Sequence, residues 1–221
     1  MKLYGYWRSS ASYRVRIALA YKGIDYVAEP VNLLQGAQRE SDYLARNPAG
    51  LVPTLELADG TLLTQSGAII EYLEETCPAP PLLPEAPALR ARVRALASMI
   101  GSDLHPLNNL RVLNYLTDEI GASTAARERW YLHWLAQGFA ALEPQLDEQG
   151  FACGGSVTLA DLYLVPQVYN ALRFEFDLAP YTKVSRCYEH LIGLPAFRAA
   201  APERQQDAPA SLREPQAPSA D

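Results

Sequence analysis

From residue 77 to residue 88 the chain reads Cys-Pro-Ala-Pro-Pro-Leu-Leu-Pro-Glu-Ala-Pro-Ala, five prolines in twelve positions. Proline has a fixed φ and no N–H to donate, so this run forms neither a helix interior nor a central strand. It predicts a linker between two segments of different character. Strand and helix signals alternate before it, and after it the signals are almost purely helical. Residues 1–76 are therefore expected to form an α/β domain, 77–88 the linker and 89–201 an all-helical domain. Residues 202–221 hold four prolines and few large apolar side chains, which predicts a flexible tail.

In the first part, Leu3–Tyr6 reads as a strand and Ser12–Lys22 as a helix stopped by Gly23. Asp25–Val31 reads as a second strand, about 38–45 as a looser helix, and Val52–Leu57 as a third strand. Asp59-Gly60 is a hairpin turn leading to a short strand, Thr61–Leu63. Ser66 then reads as the N-cap of an apolar helix through Tyr72 and Leu73. The order βαβ-α-ββα predicts a thioredoxin-like domain, a mixed sheet with helices on both faces. Beyond the linker, Leu89, Val93, Leu96, Ile100, Leu104 and Leu107 recur at helical spacing, as do Tyr131, Leu135, Phe139, Leu142 and Leu146. Pro106 and Pro144 should kink or end those helices. Thr158 and Asp161 read as N-cap and N3 of a capping box opening a helix to about Arg173. A further helix is expected over about 181–193, and a last short turn over 195–200.

Composition narrows the function classes. The 221 residues are 49% hydrophobic with no apolar run long enough for a bilayer, so a globular protein without membrane attachment is expected. The net charge of −6 and the lack of a basic block argue against nucleic acid as partner. Cys77, Cys153 and Cys187 form neither a metal-ligand spacing nor a disulfide framework, and the absence of a secretion signal adds to the expectation of a reducing cytoplasm.

The chemistry concentrates in Trp7–Leu19, where Ser9, Ser10 and Ser12 sit at a strand-to-helix handover beside Arg8, Arg14 and Arg16. A helix N-terminus presents unsatisfied N–H groups and a partial positive charge, which suits a carboxylate or thiolate. The same serines also suit plain capping, and the arginines plain solvation. Thioredoxin-like domains present cysteines at this turn; here the places hold Ser9, Ser10, Ala11 and Ser12. With no Cys-x-x-Cys anywhere, dithiol redox work is excluded, and the turn suits a thiol carried by another molecule. Val52-Pro53 stands where such domains use a cis-proline that frees the preceding backbone for an extended peptide, although a trans proline opening a strand reads the same. Gln65-Ser66 supplies a second helix N-terminus for a carboxylate, or routine capping. A peptide-like thiol with a free α-carboxylate describes glutathione.

The run Ser9–Leu19 resembles the signature of zeta-class glutathione transferases. So do Asn47-Pro48 with Val52–Leu55, Gln65-Ser66 with Ala68–Glu75, Pro106-Leu107 with Asn109-Leu110, Ala160–Leu162 with Leu164–Val168, and Arg173-Phe174 leading to Asp177–Tyr181. The resemblance covers about residues 2–208. It implies the glutathione-transferase fold, α/β plus all-α, and a homodimer that binds glutathione. It assigns glutathione contacts to Ser9, Ser10, Gln38, Val52, Gln65 and Ser66, with His105, Asn109 and Arg111 from the helical domain, and the catalytic hydroxyl to Ser9 or Ser10. Arg8, Arg111 and Arg173 are candidates for the carboxylates of a cis-enedioate substrate, because a guanidinium binds both oxygens of a carboxylate. Two departures stand out: Ala11 replaces the family's usual cysteine, and His105 stands where glutamine is common. The implied activity is glutathione-dependent cis–trans isomerisation of maleylacetoacetate in aromatic amino-acid breakdown. Maleylpyruvate isomerisation and general zeta-class transfer are the near alternatives, and a non-catalytic protein-interaction module is the alternative of another class. A helix end contributes about 0.3–1 kcal/mol and a charge-assisted hydroxyl bond about 1.5–3 kcal/mol, enough to lower a thiol pKa by roughly one to three units without an ionisable base.

Overall fold

The computed structural model describes residues 1–212. The described residues divide into two compact units, Met1–Pro80 together with residues 193–212, and Pro81–Ile192.

In the first unit, β1 (Lys2–Gly5), β2 (Val27–Pro30), β3 (Thr54–Glu56) and β4 (Leu62–Thr64) form one sheet in the order β2-β1-β3-β4. β1 pairs parallel to β2, with Leu3 opposite Ala28, and antiparallel to β3, with Leu3 opposite Leu55. β3 and β4 form the hairpin. Helix α1 (Ser10–Tyr21) packs on α3 (Ser66–Thr76), and the short α2 (Ser41–Leu44) follows a 3-10 turn at Ala37–Arg39. This is the expected thioredoxin-like arrangement, with strand ends shifted by one or two residues. Gly5 has a packing reason: a Cβ there would lie 3.1 Å from Ser12 Oγ, so glycine lets α1 close on β1. Lys22, its side chain fully buried, donates to Glu74 Oε2 (2.8 Å) and to the carbonyls of Cys77 (2.7 Å) and Pro80 (3.0 Å). It fastens the beginning of the proline run to the end of α1.

The C-terminal segment departs from the sequence expectation. Helix α9 (Pro195–Ala200) packs on α1, burying Phe197 and Ala200 with the sheet unit rather than with the helical one. Arg16, far from being solvated, is buried. Its Nε donates to the Ala200 carbonyl (3.0 Å), its Nη1 to that of Tyr6 (3.4 Å) and its Nη2 to that of Trp7 (2.9 Å). Residues 202–212 were expected to begin a flexible tail, but they return to the sheet unit, with Pro202 and Ala208 buried. The part of that tail at 213–221 lies outside the described residues. Arg16→Met is expected to lower stability by about 3 kcal/mol or more, because buried carbonyls lose a charged donor. Chemical denaturation checks this, and an unchanged midpoint would contradict the clamp.

In the second unit, α4 (Pro87–Ser98) runs into a wider π-helical segment, Met99–Leu104, which ends just before Pro106. The chain restarts as α5 (Leu110–Asp118), then α6 (Thr124–Leu142), α7 (Leu159–Arg173) and α8 (Thr182–Ile192). Pro144 lies in a 3-10 turn that closes α6, as its missing N–H requires. The expected capping box opens α7. Asp161 is fully buried, its Oδ1 accepting the Ala152 N–H (2.7 Å) and its Oδ2 the Thr158 N–H (2.7 Å) and hydroxyl (2.8 Å). No helix among the described residues is long and apolar enough to cross a membrane.

Candidate active site

Three loops of the sheet unit carry the predicted contacts. On the first, Ser9 is the N-cap of α1, with an extended backbone and a side-chain oxygen that accepts the Ser12 N–H at 3.2 Å. Accepting that bond uses an oxygen lone pair and leaves the hydroxyl proton available to donate. Ser9 is half-buried, Ser10 is buried as the first helical residue, and Ala11 is half-buried. Arg8 is half-buried with its guanidinium over the Trp7 ring at 5.4 Å.

The second region comprises the segment before β3. The Val52–Pro53 peptide, for which the sequence left cis and trans open, is cis. The Leu51 carbonyl just ahead of it accepts from the Tyr43 hydroxyl (2.6 Å) and from Asn47 Nδ2 (2.7 Å), so both sides of that turn are fixed. Gln38, in the 3-10 turn, has a buried Oε1 with no hydrogen-bond partner among the described residues. A buried acceptor left open costs stability and calls for a donor. The amide N–H of a bound peptide is such a donor.

The third is the N-terminus of α3. Ser66 was expected to cap this helix. Instead it is the first helical residue, and Gln65 occupies the cap position at φ 66°, with no side chain capping the turn. Left-handed backbone at a non-glycine residue is a strained choice that concentrates at functional sites. Ser66 Oγ accepts from Nη1 of the buried Arg14 at 3.3 Å. A helix end without a side-chain cap, with a guanidinium behind it, is built for an anion. Arg14 thus acts from beneath α3 rather than at the α1 turn, which its position in the sequence did not reveal.

In the helical unit, Trp130 Nε1 donates to the Leu107 carbonyl (2.8 Å) and Asn108 Nδ2 to that of Tyr131 (3.2 Å), pinning residues 105–109 to α6. His105 is half-buried at the end of the π-helical segment. Asn109 caps α5, its Oδ1 accepting the Arg111 N–H at 3.1 Å, a structural use of the group that was read as a ligand contact. Arg111 is exposed and its guanidinium makes no hydrogen bond or ion pair among the described residues. Arg173 is exposed too, but it donates to Asn170 Oδ1 at 2.8 Å and lies against the Phe174 ring. No cluster of His, Cys, Asp or Glu suited to a metal ion occurs among the described residues.

The fold and this cysteine-free turn define a thioredoxin-like protein without a thiol of its own at the start of α1. Residues 8–76 match the N-terminal domain model of glutathione S-transferases, and residues 134–195 match the C-terminal domain model. Maleylacetoacetate isomerase of Pseudomonas aeruginosa is 49% identical over 213 residues, covering 96% of this chain and all of that protein. A holo structure of maleylpyruvate isomerase, described as a bacterial zeta-class glutathione S-transferase, superposes with TM-score 0.91 at 45% identity over 95% of this chain and all of that one. Maleylacetoacetate isomerase of Methylobacterium extorquens AM1, solved with malonate and glutathione bound, gives TM-score 0.91 at 42% identity over 95% of this chain and all of that one. The chain belongs to the zeta-class glutathione transferases, the family of the maleylacetoacetate isomerases.

Proposed function

We propose that this protein is a glutathione-dependent cis–trans isomerase acting on maleylacetoacetate. The observation that carries it is the pair of N-terminal turns in one unit: Ser9 with a free hydroxyl proton on α1, and the Arg14-backed start of α3. The relative with malonate and glutathione bound supports a site for a dicarboxylate beside a thiol peptide. Bound glutathione supplies a thiolate that adds to one alkene carbon of a cis-enedioate and leaves after rotation about the resulting single bond.

The chain's residues divide that work. Ser9 donates its hydroxyl proton to the sulfur, with Ser10 as the alternative donor, and the α1 end adds its partial charge. Gln65, Ser66 and the α3 N–H groups hold the α-carboxylate of glutathione. Gln38 and the backbone of Val52 hold its peptide groups. Arg8 and Arg111 are assigned the substrate carboxylates, their guanidinium groups being uncommitted to any ion pair among the described residues. Arg173, already bonded to Asn170, ranks behind them. His105 and Asn109 complete the contacts assigned to the helical unit, Asn109 only through what its capping role leaves over. Ser66→Ala is expected to weaken glutathione binding about tenfold while leaving kcat nearly unchanged, as loss of one charge-assisted bond to a ground-state carboxylate requires. Calorimetric titration with glutathione checks it; a loss confined to kcat would move the carboxylate elsewhere.

The decisive experiment compares turnover of maleylacetoacetate and maleylpyruvate with and without glutathione. Glutathione-dependent turnover that favours maleylacetoacetate is the expected result. Preference for maleylpyruvate would select the close alternative, to which His105 and the missing cysteine at Ala11 lean. No turnover with either, and no retention on immobilised glutathione, would leave the non-catalytic module. The same proposal makes the protein a cytoplasmic homodimer, consistent with Cys77, Cys153 and Cys187 all being unpaired thiols. Sedimentation equilibrium showing a monomer would remove that part.

A further inference from the structure

The segment after α9 reaches the loop that carries Ser9. Asp207 Oδ2 accepts the Trp7 N–H at 2.9 Å, and Arg16 Nη2 donates to the Trp7 carbonyl at 2.9 Å. The Tyr6 N–H donates to Ser12 Oγ (3.4 Å), and the Tyr6 carbonyl accepts the Ser9 N–H (2.9 Å). Every backbone polar group of Tyr6 and Trp7 is therefore held, and Ser9 follows two residues later. Ala208, next to Asp207, is buried against Tyr6 and Trp7, and Leu33 and Val52 pack on the same cluster. Leu33 leads into the turn of Gln38, and Val52 precedes Pro53. One small apolar cluster thus touches all three segments to which Ser9, Gln38 and Val52 belong. Gln206 Nε2 tethers the same segment to the Ala28 carbonyl (2.9 Å) on β2, away from that loop.

We propose that Asp207 is a positioning residue for the reaction: by holding the Trp7 N–H it sets the turn that aims the Ser9 hydroxyl at the sulfur of glutathione. This rests on the assignment of Ser9 made above. A carboxylate bond to an N–H is shorter and stronger than a neutral one, so it suits fixing a loop whose misplacement by a fraction of an ångström lowers the rate. Two other roles for Asp207 make different predictions. If its charge alone mattered, Asp207→Asn and Asp207→Ala would behave alike. If it only supported stability, neither would move the chemistry.

The test measures the pKa of bound glutathione's thiol by ultraviolet thiolate absorbance, together with kcat, KM and melting temperature, in wild type, D207A, D207N, Q206A and Ser9→Ala. Asp207→Ala is expected to raise the thiol pKa by about one unit and lower kcat about tenfold, with little change in glutathione affinity. D207N, whose neutral amide oxygen still accepts the same N–H, is expected to restore most of both. Q206A loses a tether of the same segment and is expected to shift only the melting temperature. Should D207A not fold, Asp207→Leu, similar in shape and likewise without an acceptor, carries the same comparison. A thiol pKa and kcat unchanged in D207A, with the Ser9→Ala effect intact, would overturn the role of Asp207 alone. D207N matching D207A would overturn positioning in favour of charge. A wild-type complex without a lowered thiol pKa would overturn the Ser9 assignment and this proposal with it.

Discussion

Ser9→Ala is expected to lower kcat by about tenfold to a hundredfold while changing the glutathione dissociation constant only a few-fold, because a hydroxyl bond to a thiolate contributes about 1.5–3 kcal/mol. The same variant should raise the thiol pKa of bound glutathione by about one to two units, which the thiolate absorbance reads directly. The hydroxyl also caps α1 through the Ser12 N–H, so a stability loss of about 1 kcal/mol accompanies the change. Ser9→Thr separates the two effects, since threonine keeps both the cap and the proton. Turnover that is unchanged in Ser9→Ala would pass the role to Ser10 or to the N–H groups of the helix end.

The largest stability effect is expected at Asp161. Asp161→Ala strands the Ala152 and Thr158 N–H groups and the Thr158 hydroxyl in a dry interior. A loss of about 3–5 kcal/mol follows, enough to unfold a large fraction of an ordinary domain. Burial pushes the Asp161 carboxyl up to about 6, against the pull of its three donors. Between the ordinary carboxylate range and that value, the folded state binds a proton that the unfolded state has released. Stability due to this group is therefore fully present below its unfolded pKa and declines as pH rises through about 6. Asp161→Asn does not titrate, so subtracting its stability from that of wild type cancels the surface carboxylates. That difference should fall by about 2 kcal/mol from pH 4 to pH 7. A difference that grows with pH would mean that the donors outweigh burial.

Much of the site was legible because it depends on local rules. A hydroxyl at the start of a helix, a proline before a strand and the Thr158–Asp161 box are each signalled within four residues, and the structure places them so. The start of α3 is legible in the sequence, but its cap is not. Ser66 has a good capping side chain, yet the left-handed backbone of Gln65 moves it inside the helix. What went unread were groups whose partners lie far along the chain. Arg16 looks like a surface cation until the carbonyls of Tyr6, Trp7 and Ala200 surround it. Asp207 sits in a polar, proline-dotted stretch that reads as a tail, and no local signal separates it from Glu203 or Asp221.

By itself, the sequence determined the two folding patterns, the βαβ-α-ββα order and the replacement of the thiol turn's cysteines by serines. Those follow from backbone restrictions and side-chain period, which act between neighbours. Only the tertiary structure decided that Arg14 backs α3, that Arg16 is a clamp and that Asp207 reaches the Trp7 N–H. Buried polar groups must find partners wherever the fold brings them, and the sequence separation of 200 from Trp7 to Asp207 leaves no local trace of that demand.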